Sequence, residues 1–232
     1  MSKGYYTLTR ITDYGPYVTK VILPVSGTVK AEDVSAEKFS VYVERMDEKG
    51  ETLLLPKSWM ARDQVEPSCG YIPVTAAYPS DKSGEKADEG EFITLDMAYG
   101  PMAQLSSCIS APKGLNVYVT MHYTVTQTEK IESSSGALTG LVYDYPLGNT
   151  CPDSYGFIND TSSYEPEPLN YGYFVPQMKC EGKRPLIIWL HGAGEGGVDP
   201  TIAYTGNKVT ALAADKIQLF IVLIGGYSLL LR

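Results

Sequence analysis

The chain has little that would hold a metal or a nucleic acid. Its two histidines and four cysteines are scattered over 232 residues, and no Cys-x-x-Cys pair occurs. That spacing excludes the common zinc sites, so neither a metal nor a cofactor is expected. Basic residues are also scarce: 19 Lys and Arg face 27 Asp and Glu, for a net charge of -8. A chain this acidic offers no basic face, which argues against a nucleic-acid partner. The acidity is even. Residues 1–130 hold 13 Lys/Arg and 17 Asp/Glu and residues 131–232 hold 6 and 10, so each part carries -4 and neither is a charged tail. The start, MSKGYYTLTRITDYG, has no apolar leader run, so no secretory signal is expected and a cytoplasmic location follows. In a reducing compartment Cys69, Cys108, Cys151 and Cys180 should be free thiols.

A convincing helical period is missing from the first 130 residues. What is there is a succession of strand-like runs: YYTLTRI, YVTKVILPV, FSVYVERM, EFITLDMAY and LNVYVTMHYTVTQT. Asp47–Gly50, Asp81–Gly84 and Ala111–Gly114 supply turns between them. Short strands separated by turns predict an antiparallel β-sandwich over 1–132, with the run from Lys113 to Thr128 as its closing strand. Residues 79–91 are polar and aperiodic and read as an exposed loop. Phenylalanine and tryptophan are few (5 and 2) beside 18 tyrosines, which suits strands with one wet face; a sugar-binding platform is the rarer alternative. Residues 133–169 are small, polar and rich in Tyr, Pro and Asp, and read as a junction.

From Asn170 to Arg232 the pattern is α/β. NYGYFVP reads as a strand closed by Pro176. RPLIIWL is a continuous apolar run, as in a strand buried on both faces of a parallel sheet. A helix is expected within Pro200–Lys216, beginning near Asn207. The following IQLFIVLI fits a second parallel strand, because the apolar run is too short for a comfortable bilayer span. Membrane association is therefore not expected. The uncharged LFIVLIGG reads as an aggregation-prone segment, so self-association through the apolar C-terminus is expected, and removing Ile217–Arg232 should improve solubility.

The chemistry lies in KRPLIIWLHGAGEGG, Lys183 to Gly197. An apolar strand runs into His191-Gly192-Ala193-Gly194-Glu195-Gly196-Gly197. Such a turn can aim backbone N–H groups at a developing alkoxide, and glycine lets both the turn and the substrate come close. A phosphate loop is the alternative. The turn lacks the Gly-Lys-Ser/Thr ending of a Walker motif, and Asp199-Pro200 follow where a Gly-x-Gly-x-x-Gly helix should pack.

NYGYFVP, KRPLIIWL and HGAGE together resemble the start of the prolyl-oligopeptidase-like and esterase-like α/β-hydrolases, over about a fifth of the chain. Some members of that kind carry an N-terminal immunoglobulin-like domain, which fits the sandwich of residues 1–132. The resemblance implies a mixed fold: an Ig-like sandwich, then an incomplete α/β-hydrolase domain. It implies a serine hydrolase acting on an ester or peptide bond, with the amides of Ala193 and Gly194 as oxyanion-hole candidates. His191, Gly192 and Glu195 would shape the loop. No residue is assigned a catalytic role. No Gly-x-Ser-x-Gly occurs, and His122 and His191 both precede any place where a nucleophile could follow. Gly226-Tyr227-Ser228-Leu229-Leu230 is only an imitation of that motif. The expectation is a chain truncated before its nucleophile and inactive alone. Asp199, Asp215 and Glu195 then read as a cap, a solvated charge or a loop-fixing group. His122 reads as a surface or edge residue. A non-catalytic sandwich that binds carbohydrate or protein is the alternative function.

Overall fold

A computed structural model describes residues 2–58, 60–100, 105–110, 114–163, 168–176, 186–192 and 194–206, and the backbone of 219–224. The chain divides into two compact units. One holds Met1–Thr9, Val18–Ser107 and Val119–Thr150, and the other holds Arg10–Tyr17, Cys108–Tyr118 and Cys151–Arg232.

The N-terminal strands are β1 (Lys3–Thr12), β2 (Gly15–Lys30) and β3 (Phe39–Met46). Then β4 (Leu54–Ser58) and β5 (Ala61–Pro67) form a hairpin of their own. Next come β6 (Cys69–Tyr71), β7 (Val74–Ser80) and β8 (Glu89–Met97). A second separate hairpin, β9 (Cys108–Ser110) with β10 (Asn116–Tyr118), precedes β11 (Thr120–Gln127) and β12 (Val142–Thr150). Eight of these strands make one sheet in the order β6-β3-β11-β12-β1-β2-β8-β7.

Alternation explains the sheet. In β3, Phe39, Val41, Val43 and Arg45 point inward while the residues between them are half-exposed. Residues near opposite ends of the sheet share one core: Val41 and Val43 of β3 and Val125 of β11 lie with Val21 and Leu23 of β2 and Ile93 and Leu95 of β8. The sheet therefore curls over a common core. Each fully buried aliphatic side chain there contributes about 1.5–3 kcal/mol.

The sandwich was expected to be antiparallel. Instead a parallel pair, β1 with β12, joins its two halves into one sheet. β12 comes from residues read in sequence as junction. LNVYVTMHYTVTQT is also not one strand. Tyr118 pairs with Cys108 of β9, whereas Thr120 pairs with Met46 of β3, so the chain changes partners at Val119. The polar stretch 79–91 is mostly ordered turn and strand. Asp81 Oδ1 accepts from the amides of Ser83 (2.8 Å) and Glu85 (3.0 Å), and Gly84, at φ +81°, lies over Ile22. Pro79 is tolerated because β7 is at the sheet edge.

The remaining strands and helix are β13 (Phe157–Thr161), β14 (Asn170–Phe174), β15 (Leu186–Leu190), α1 (Pro200–Thr205) and β16 (Leu219–Ile224). The sheet order is β13-β14-β16-β15, with β15 and β16 parallel and α1 between them in sequence. The three strands expected from sequence are all present. A short helix begins at Pro200, and the helix expected from near Asn207 falls on residues 207–218, outside the described ones. Asp199 sets that start. Its side chain accepts from the Thr201 amide at 2.9 Å, and Pro200 fills the first helical position.

Phe157, Phe174, Ile187 and Trp189 pack on Ala203 and Tyr204 of α1. On the other face Leu186, Ile188 and Leu190 are 49%, 56% and 70% exposed. Thus LIIWL, expected to be buried on both faces, is covered on one, because α1 lies on that side alone among the described residues. β16 is no appendage. It sits between β14 and β15 and pairs with both.

Candidate active site

β15 delivers the chain into a loop, His191 to Asp199, that ends in α1. The loop is tied to itself first. Glu195 is buried, and its Oε2 accepts the Gly192 amide at 2.8 Å. The Glu195 amide in turn donates to the Gly192 carbonyl at 3.0 Å. Side chain and backbone of one residue thus close the turn on Gly192. The other carboxylate oxygen lies against Gly206, where an added Cβ would collide with it. One glutamate therefore links the start of the loop to the end of α1. His191 Nδ1 donates to the Gly192 carbonyl at 2.8 Å; a carbonyl can only accept, so Nδ1 carries the proton. Gly197, at φ +123°, adopts a conformation that favours glycine.

Neighbouring elements brace the loop. Asn170 Nδ2 donates to the Val198 carbonyl at 2.7 Å, and the Asn116 amide of β10 donates to the Gly194 carbonyl at 2.6 Å. Tyr204 of α1 stacks on Phe157 with centroids 4.5 Å apart, and its ring fills the space a side chain on Gly172 would need. The Tyr118 and Thr205 hydroxyls are hydrogen-bonded. Burial pushes the Tyr118 phenol well above its ordinary value, with Cys108, Cys151 and Asp199 adding to the effect, so it stays a neutral donor. Burial likewise raises the Cys151 thiol.

Of the residues singled out in sequence, His191, Gly192, Gly194 and Glu195 lie together in this loop. Ala193, Asp215, Ser228 and Cys180 lie outside the described residues. Asp199 is a helix cap and Glu195 a loop-fixing group. Among the described residues Cys69, Cys108 and Cys151 form no disulfide. His122 is not at an edge. β11 runs between β3 and β12, and His122 Nε2 donates to the Asp144 carbonyl at 2.6 Å, with Nδ1 3.7 Å from Glu44 Oε2. The His122 side chain is 29% exposed, so the surface reading fits and the edge reading does not. Among the described residues no cluster of His, Cys, Asp and Glu could hold a metal, and no helix is long and apolar enough to cross a membrane. Sequence reasoning missed Leu115, Asn116 and Tyr118. No local signal marks so distant a hairpin as part of the loop's support.

What this loop offers chemically is a set of backbone amides in fixed directions at the carboxyl end of a sheet strand. No curated protein matches the chain. A solved structure described as a thermostable esterase has the same fold, with a TM-score of 0.73 at 19% identity, over 97% of this chain. The chain spans 58% of that esterase's length. A family model, the esterase Ig-like N-terminal domain, matches residues 4–140, more than half of the 232. The chain therefore belongs to the esterase Ig-like N-terminal domain family; most of its curled sheet lies within that match, and β12 follows it.

Proposed function

We propose that the chain is the N-terminal portion of an esterase-type serine hydrolase, in which residues 170–232 begin an α/β-hydrolase domain. Ala193 and Gly194 would donate the oxyanion-hole amides. One observation carries the reading: a glycine turn closed by a buried glutamate stands between parallel β15 and α1, in a chain of an esterase-related family. The Gly192 amide is already bound by Glu195. The donors left to a substrate are then the two amides that follow.

The reaction would be acyl transfer through an acyl-enzyme. The substrate carbonyl would sit over the turn. As a nucleophile attacks, the carbonyl oxygen would gain charge and move toward the Ala193 and Gly194 amides. Nucleophile and base would come from residues other than these 232. Neither His122, held in the first unit's sheet, nor His191, bonded to its own loop, fits the base.

The test is a chimera of residues 1–224 continued by the C-terminal remainder of the thermostable esterase. The chain alone should not turn over p-nitrophenyl butyrate, and the chimera should. A chain that hydrolyses this ester without the added segment, or a folded chimera that does not, would sink the reading.

A further inference from the structure

We propose that Asn116, on the β9–β10 hairpin of the family-matched region, is a positioning residue for the Gly194–Glu195 peptide of the glycine loop. The inference rests on the proposed hydrolase reading and adds a residue that no part of the glycine motif contains. Residues 4–140 belong to the Ig-like match, yet Cys108–Tyr118 falls in the compact unit that holds the glycine loop.

The geometry is a clamp on one peptide group. The carbonyl of the Gly194–Glu195 peptide accepts the Asn116 amide at 2.6 Å. The N–H of that same peptide donates to the Gly192 carbonyl at 3.0 Å. Both ends of the plane are held, so it cannot rotate without breaking a hydrogen bond. Ahead of it, the Gly192 amide is fixed by Glu195 Oε2 at 2.8 Å. The Gly194–Glu195 peptide is thus held by partners on both sides, one of which comes from another hairpin.

Side chains close the same contact. A Cβ on Gly194 would stand 3.0–3.1 Å from the Asn116 carboxamide, tighter than ordinary packing. Leu115 lies 3.8 Å from the positions a Cβ would take on Gly196 and Gly197. Glycine at 194 is thus needed for the approach of Asn116 as well as for a substrate. The hairpin is itself anchored. Asn116 pairs with Ser110 and Tyr118 with Cys108, and the Tyr118 hydroxyl bonds Thr205 of α1. Tyr118 and Asn116 therefore hold the two ends of the loop–helix segment.

Hydrogen exchange on the full chain, read by mass spectrometry on peptides covering 191–197, tests this directly. Asn116→Ala keeps the backbone donor and should leave exchange there unchanged. Asn116→Pro removes it and should speed exchange about tenfold, the scale of one lost hydrogen bond. Peptides from β3 should not respond. Should the proline disrupt the hairpin, the second arm decides. Gly194→Ala should loosen the loop by pushing Asn116 away, and Asn116→Ala in the same chain should restore protection. Unchanged loop exchange in a folded Asn116→Pro chain overturns the proposal. So does a Gly194→Ala effect that is equal in both backgrounds. Neither readout needs activity, so an inactive chimera would defeat the hydrolase reading and leave the clamp standing.

Discussion

Glu195 shows how far one residue can be read. In sequence it reads as a cap, a solvated charge or a loop-fixing group; its Oε2 accepts the Gly192 amide. Glu195→Ala leaves the Gly192 amide without its acceptor and should cost about 1–3 kcal/mol. Glu195→Gln keeps an acceptor oxygen and should cost less. Thermal melts of the three chains check the order. The tyrosines carry a pH dependence. Burial raises the phenols of Tyr5, Tyr78, Tyr123 and Tyr143, and the Cys69 hydrogen bond holds Tyr42 up at about 12. A folded-state value above the unfolded one gives stability that is complete below the ordinary phenol range. It is lost as pH climbs through the raised values. Stability should therefore hold up to about pH 10 and fall beyond it. Tyrosinate absorbance should rise together with loss of the β signal; a full rise while the fold persists would contradict the burial. Asn116 was not legible at this scale. Its role depends on a partner 78 positions on, and asparagine after a turn glycine has many ordinary uses.

At the scale of elements, alternation was legible where one face is buried. FSVYVERM became β3 with the expected bounds. The β4–β5 hairpin was missed because both faces are exposed and Pro56 and Pro67 interrupt it, so no period-2 signal exists. β12 was missed for another reason. Pro146 and Gly148 lie inside it, and its parallel pairing with β1 depends on residues about 140 positions away. That strand has a consequence. It stands between β11 and β1, in the middle of the sheet. A chain ending near Ser133 would leave both without a neighbour. Residues 1–150 should melt cooperatively and residues 1–133 should not. Equal cooperativity in the two would show that β12 is dispensable. The short α1 ahead of the helix expected near Asn207 went unread, although Asp before Pro is a sound start for a helix.

For the whole molecule, the esterase-related family was legible from the glycine loop and the strand succession together. The one-sheet topology was not, since its parallel closure is non-local. Self-association is expected, by a route that differs from the sequence reading. The tail is no detachable liability, because β16 is an inner strand. We propose that the surface responsible is the face of β15 that exposes Leu186, Ile188 and Leu190. Ile188→Lys should lower the apparent mass in light scattering, and removing 217–232 should raise it. A monomeric full chain, or a shortened chain that stays soluble, would contradict this.

The most direct measurement is the kcat of the chimera before and after Gly194→Pro. Proline deletes the Gly194 N–H, one of the two proposed oxyanion donors. Losing one oxyanion donor lowers kcat by about 10²–10³-fold, and KM should move little because the donor acts in the transition state. The expected result is that fall in kcat with the melting temperature of the core retained. A kcat unchanged in a folded Gly194→Pro chimera would mean that this loop does not bind the oxyanion.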